Sequence, residues 1–172
     1  GLAIKFLSHD DSNQTIIATD ANSGDLYYSN NLGKDWESAT GLIDIEHSLF
    51  EESFGIHIVE EATSNPMVLY AGYIQSKIKG QDPHQLDEIE QSPGIYKSID
   101  GGMSWFPINN GLPDKDYRRN ISDIAVSKQN ENIVYINSLF DGLYYTVDGG
   151  ESWNHLKGDL PEGLSWDDCG HT

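Results

Sequence analysis

Short runs rich in β-branched and aromatic residues recur along the chain, each alternating with polar positions and closed by a turn-forming cluster. "AIKFLS" is followed by "HDDSNQ" and then "TIIATD"; "FGIHIVE" by "EATSNP" and then "MVLYAGY"; "ISDIAVS" by "KQNEN" and then "NIVYINSL". Each pair leads into a third and fourth run joined by a tight turn: "DLYYSNNLGKDWE", "GIYKSIDGGMSWF" and "GLYYTVDGGESWN". The period of two, the short run lengths and the Gly, Asn and Asp at the turns predict antiparallel strands throughout. Four strands per unit, three times over, predict an all-β chain of three four-stranded antiparallel meanders.

The spacing of the tryptophans reports the period. Trp105 and Trp153 lie 48 residues apart, whereas Trp36 and Trp105 lie 69 apart. An insertion at 74–93, "IQSKIKGQDPHQLDEIEQSP", accounts for nearly all of the excess. Meanders repeating every 40 to 50 residues or so are the sequence mark of β-propeller blades. The units fall at about 3–37, at about 54–106 with the insertion, and at about 122–154. Closed propellers have roughly 4 to 8 blades, so three predict a partial propeller. The tail 155–172 reads as leading to a blade beyond the third, and two open flanks would favour further blades of the same protein or self-association.

Within each hairpin the pattern Ser/Thr-x-Asp-x-Gly-x-x-Trp recurs. Ser98, Asp100, Gly102 and Trp105 fit it fully, as do Thr146, Asp148, Gly150 and Trp153. In the first copy Ser29, Gly33 and Trp36 fit, and Asn31 replaces the aspartate. A nucleophile beside an acid suggests catalysis, but a catalytic constellation is needed once, whereas a structural part is needed once per blade. The aspartate suits an Asx-type bond to turn N–H groups, and the Ser or Thr suits the other side of the hairpin. The glycine allows a positive φ, and the tryptophan is an anchor under the turn.

This pattern resembles the Asp-box, or BNR repeat, of sialidases, xyloglucan-cleaving hydrolases, sortilin-type receptors and photosystem assembly factors. The resemblance implies a β-propeller and, through its best-known members, a secreted or cell-surface protein. It also implies that ligands are bound on the face opposite the boxes. In this chain the loops of that face carry Tyr117, Arg118, Arg119, Phe140 and Trp166, polar and aromatic groups suited to a glycan or a protein partner.

The remaining composition mostly excludes. Twenty-eight acidic against 10 basic residues give a net charge of −18, which repels nucleic acid. No apolar run is long enough to insert in a membrane, and "GLAIKFLSHDD" lacks the features of a signal peptide. Cys169 has no partner for a disulfide within the chain. The sialidase centre requires three arginines, and only Arg118 and Arg119 are present, side by side. "DDCGH" at 167–171 lacks the paired spacing of a zinc site, and "DANSGD" at 20–25 departs from a calcium loop, so no metal and no cofactor is expected. These features point to a noncatalytic recognition scaffold. The alternatives are a portion of a xyloglucanase-like glycoside hydrolase and a portion of a sortilin-like receptor.

Overall fold

A computed structural model describes residues 2–6, 15–20, 24–42, 55–74, 94–113, 119–139 and 141–156. The insertion beyond Ile74 and the tail beyond Leu156 lie outside the described residues. Twelve strands are described. They are β1 (Leu2–Phe6), β2 (Ile16–Asp20), β3 (Leu26–Ser29), β4 (Glu37–Ser38), β5 (Gly55–Glu61), β6 (Leu69–Ile74), β7 (Ile95–Ser98), β8 (Phe106–Pro107), β9 (Ile121–Val126), β10 (Val134–Ser138), β11 (Gly142–Thr146) and β12 (Asn154–His155).

Among the described residues they form three four-stranded sheets in chain order, β1-β2-β3-β4, β5-β6-β7-β8 and β9-β10-β11-β12, with every neighbouring pair antiparallel. The chain is thus all-β and builds part of a β-propeller, one meander per blade. The registers of the second strand on the third align the blades: Ile16 faces Ser29, Leu69 faces Ser98 and Val134 faces Thr146.

Two cores lie between the blades. Ile17 and Leu26 of the first sheet pack with Ile56, Val59, Leu69, Ala71, Tyr73, Tyr96 and Trp105 of the second. On the other side Val68, Tyr70, Ile95 and Ile108 pack with Ile121, Ile124, Val134, Ile136, Tyr144 and Trp153 of the third. Burying each such aliphatic side chain stabilises the fold by about 1.5–3 kcal/mol. The alternation predicted from sequence is visible in β10, where Val134, Ile136 and Ser138 are buried and Tyr135 is exposed. In β6 it disappears: Leu69 through Tyr73 are all buried, because the middle blade is covered on both faces.

The fourth strands are only two residues long. Beyond β4 and β8 the chain goes on to the next blade. Trp105 N donates to Thr40 O at 2.9 Å, and Thr40 N to Met103 O at 3.0 Å, around an isolated parallel bridge between Thr40 and Ser104. The next junction repeats the stitch: Trp153 N donates to Asn110 O at 2.9 Å, and Asn110 Nδ2 to Glu151 O at 2.8 Å.

Candidate functional site: the repeated turn and the opposite loop face

In the second blade Ser98 is fully buried at the end of β7. Its Oγ donates to Asp100 Oδ1 at 2.8 Å and accepts from Gly102 N at 2.9 Å. Asp100 in turn accepts from Ser104, through Oδ1 from the amide at 2.9 Å and through Oδ2 from the hydroxyl at 2.5 Å. The third blade repeats every bond. Thr146 Oγ1 donates to Asp148 Oδ1 at 2.5 Å and accepts from Gly150 N at 3.1 Å. Ser152 donates to Asp148 from its amide at 3.0 Å and from its hydroxyl at 2.6 Å. The hydroxyl expected to look nucleophilic is therefore buried and engaged as both donor and acceptor. It ties the turn.

The first blade keeps the geometry with a different chemistry. Ser29 Oγ donates to Asn31 Oδ1 at 3.0 Å and accepts from Gly33 N at 2.8 Å. Asp35 stands where the other turns have Ser104 and Ser152. Its amide donates to Asn31 Oδ1 at 2.9 Å, while Asn31 Nδ2 donates to Asp35 Oδ2 at 2.8 Å. The carboxylate and its partner have exchanged places, so Asn31 holds the position that the sequence pattern reserves for aspartate. Leu32 takes a φ of 61° where the other turns have Gly101 and Gly149 at 75° and 73°.

These bonds act on ionisation. Hydrogen bonds from Ser152 and Thr146 hold the exposed Asp148 carboxyl down at about 2, from an ordinary value of 3.8. At Asp100 partial burial pushes the carboxyl up, but bonds from Ser104, Ser98 and the Met103 amide outweigh it and leave the group below its ordinary value. A carboxyl depressed on folding contributes stability that is fully present above its unfolded value and is lost as pH falls through its folded value. Stability should therefore fall with acidification from about pH 4 towards pH 2. Asp148→Asn should flatten that limb, because the asparagine does not titrate and Asn31 shows that the turn accepts one. Melting temperatures of the two proteins across this pH range make the comparison.

The glycine and tryptophan of the second and third turns reach the preceding blade. A Cβ on Gly102, at φ 94°, would lie 2.4 Å from Ile17 Cδ1 of the first blade. A Cβ on Gly150, at φ 92°, would lie 2.4 Å from Ile108 Cδ1 of the second. Trp105 is 3% exposed and donates from Nε1 to Gly102 O at 2.9 Å. Trp153 is 4% exposed and donates across the junction to Ile108 O at 2.6 Å. Trp36 donates to Gly33 O at 3.1 Å yet remains 37% exposed. Lys97 of β7 also spans a junction: its Nζ donates to Gly149 O at 2.9 Å and lies 5.4 Å from the centre of the Tyr70 ring. Burial pulls its pKa down, against the raising influence of Glu131, Glu151 and Asp148.

The antiparallel registers place all three turns at one end of the sheets. The other end gathers Asp20 and Asp25, the start of β5, Asn120, and the β10–β11 turn. Of the five loop residues selected from sequence, Arg119 is described here; it is half-buried, and its Nε donates to Pro113 O. Tyr117, Arg118, Phe140 and Trp166 lie outside the described residues. Asn120, which opens the N-glycosylation pattern Asn-Ile-Ser at 120–122, is 5% exposed.

A cluster that the sequence did not single out lies at this end in the third blade. The Tyr144 hydroxyl donates to Asp141 Oδ2, His155 Nε2 lies 2.9 Å from Asp141 O, and the Tyr144 and His155 rings are 4.8 Å apart between centroids. The Asp-Gly pair at 141–142 signalled only a turn; the meeting with His155 depends on the β11–β12 pairing. Among the described residues no group of three or more His, Cys, Asp or Glu is placed to hold a metal ion.

No family model and no curated protein matches the chain. Solved structures do. An ancestral GH74 enzyme superposes with a TM-score of 0.60 at 19% identity, over 91% of this chain and 18% of that one. The GH74 xyloglucanase from Xanthomonas campestris superposes with a TM-score of 0.52 at 15% identity, over 85% of this chain and 22% of that one. YCF48 bound to D1 peptide gives 0.46 at 17% identity, over 88% and 37%. At these identities the likeness is one of fold, and the chain spans about a fifth of the length of the two GH74 chains.

Proposed function

We propose that this chain is part of an Asp-box β-propeller acting as a noncatalytic recognition scaffold, secreted or exposed at the cell surface. It binds a glycan or protein through the loop face opposite the boxes. The observation that carries this reading is the saturation of the box hydroxyls: Ser29, Ser98 and Thr146 are buried, and each donates and accepts within its own turn. Groups so engaged hold a scaffold, which leaves recognition to the other end, where Arg119, Asp141 and His155 stand.

A second reading is a portion of a glycoside hydrolase. It is favoured by the coverage of 91% and 85% of this chain by two GH74 structures, one of them a xyloglucanase. Hydrolysis of this kind needs two carboxylates about 5 to 10 Å apart across a cleft.

Titration calorimetry with xyloglucan oligosaccharides, followed by an assay for new reducing ends, separates the two readings. The scaffold reading expects saturable binding to a glycan or to an array peptide without bond cleavage. Arg119→Ala should weaken that binding about tenfold, while loss of its bond to Pro113 O lowers stability by only about 0.5–1.5 kcal/mol. Release of reducing ends would favour the hydrolase, and no binding to either class of ligand would overturn the recognition reading.

A further inference from the structure

The two junctions inside the chain share one main-chain stitch and differ in the side chain beside it. Trp105 N donates to Thr40 O at the first and Trp153 N to Asn110 O at the second, both at 2.9 Å. Thr40 and Asn110 are each followed by a glycine of positive φ, Gly41 at 81° and Gly111 at 91°. The side chains also correspond: Thr40 Oγ1 donates to Met103 O at 3.5 Å and Asn110 Nδ2 to Glu151 O at 2.8 Å, each acceptor standing two residues before the buried tryptophan. The same post is held once by a hydroxyl and once by a primary amide.

That difference is chemical as well as structural. An asparagine followed by glycine can close on the next residue's amide, because glycine has no Cβ to obstruct the approach. The Gly111 nitrogen bonds to Asn110 Cγ, its proton passes through solvent to Nδ2, and the Cγ–Nδ2 bond breaks to release ammonia. Water then opens the cyclic imide at either carbonyl, leaving aspartate, or isoaspartate in which the main chain runs through Cγ. The reaction needs only water, and it is one reason that asparagine is a thermolabile residue. Asn110–Gly111 is the one Asn-Gly pair in the sequence, and both residues are exposed. At the first junction Thr40 has no side-chain carbonyl to attack. In the second and third boxes an Asp-Gly pair occurs, but hydrogen bonds favour the ionised forms of Asp100 and Asp148, and an ionised carboxylate offers no leaving group.

We propose that Asn110 is a site of spontaneous deamidation and that its conversion opens the junction between the second and third blades. As aspartate, residue 110 turns a carboxylate oxygen towards Glu151 O where an N–H donor stood, so two acceptors meet, and the chain gains a negative charge beyond its −18. As isoaspartate it also lengthens the main chain by one atom ahead of Gly111, whose backbone lies so close to Trp153 that a Cβ would fall 2.3 Å from the main-chain oxygen. Either product loosens the stitch at Trp153 and the core in which that side chain is held. The change is one-way, so it accumulates with age at this junction and spares the other. It concerns a blade junction and is independent of the recognition reading.

The test is to age the purified chain at mildly alkaline pH and follow it by peptide mapping with mass spectrometry and by thermal unfolding. Aspartate and isoaspartate should appear at position 110 before any other asparagine converts. The converted fraction, separated by anion exchange, should melt about 2–4 °C or more below the parent, the shift that a single lost hydrogen bond gives a domain of this size. Asn110→Thr, which borrows the residue of the first junction, should stay unconverted and keep its melting temperature with age, and Asn110→Gln should resist likewise because its ring would need a sixth member. Asn110→Asp should melt low without ageing. Earlier conversion at other asparagines, or none at 110 in the folded chain, would overturn the site. A converted fraction or an Asn110→Asp variant that melts as the parent does would overturn the opening of the junction.

Discussion

Truncating either buried tryptophan, Trp105→Ala or Trp153→Ala, is expected to lower stability by about 3–5 kcal/mol, whereas Trp36→Ala should cost about 1 kcal/mol or less. The side chains are chemically identical and occupy equivalent turns. They differ in what lies on the far side: Trp105 and Trp153 sit in the cores between blades, and Trp36 does not. Denaturant unfolding of the three variants measures the difference. Equal losses at all three positions would show that the indole acts within its own hairpin, and the junction account would fail.

The second large effect is expected at the stitches. Gly41 has a φ of 81°, and a Cβ there would lie 2.0 Å from the main-chain oxygen of Trp105. Gly111, at 91°, would place one 2.3 Å from that of Trp153. Main-chain atoms cannot swing aside as a side-chain end can, so the stitch itself must open. Gly41→Ala or Gly111→Ala should therefore cost about 3 kcal/mol or more, combining backbone strain with a lost junction. Gly33→Ala provides the control. Its φ of 78° imposes a similar left-handed strain of about 1–2 kcal/mol, but the added methyl meets only side-chain atoms, Trp36 Cζ2 at 3.4 Å and Ile16 Cδ1 at 3.8 Å, at ordinary contact distance. Thermal unfolding of all three variants checks the ranking, and a Gly33 variant as damaged as the others would remove the steric argument.

The strands were legible in the sequence because each is short, β-branched or aromatic, and bounded by turn formers; β2, β6 and β10 fall where "TIIATD", "MVLYAGY" and "NIVYINSL" predict them. The fourth strands were legible only by position. After the tryptophan each pairs over two residues, and after β4 and β8 the chain goes on to the next blade. That departure depends on main-chain bonds to a turn one blade later in the sequence, a partner that no local pattern names. Exposure of Trp36 was illegible for the same reason: the motif has the same tryptophan in all three copies, and only the packing distinguishes them. The grouping of Asp141, Tyr144 and His155 required the register of β11 on β12. Of the loop residues chosen from sequence, Arg119 could be placed, tied to Pro113 at its own loop.

The exchange between Asn31–Asp35 and the Asp–Ser pairs of the other turns restricts how one turn type could have drifted into the other. Two single substitutions separate them, and the two routes are unequal. Through Asp–Asp, two carboxylates would face each other at hydrogen-bonding distance, both charged at neutral pH and without a proton to share. Through Asn–Ser, the amide oxygen still accepts from the turn, and the serine hydroxyl can rotate to accept from the amide nitrogen. In either direction the passable intermediate is the neutral one, so a blade carrying Asn and Ser at these two positions is the form to seek among more distant copies of this repeat.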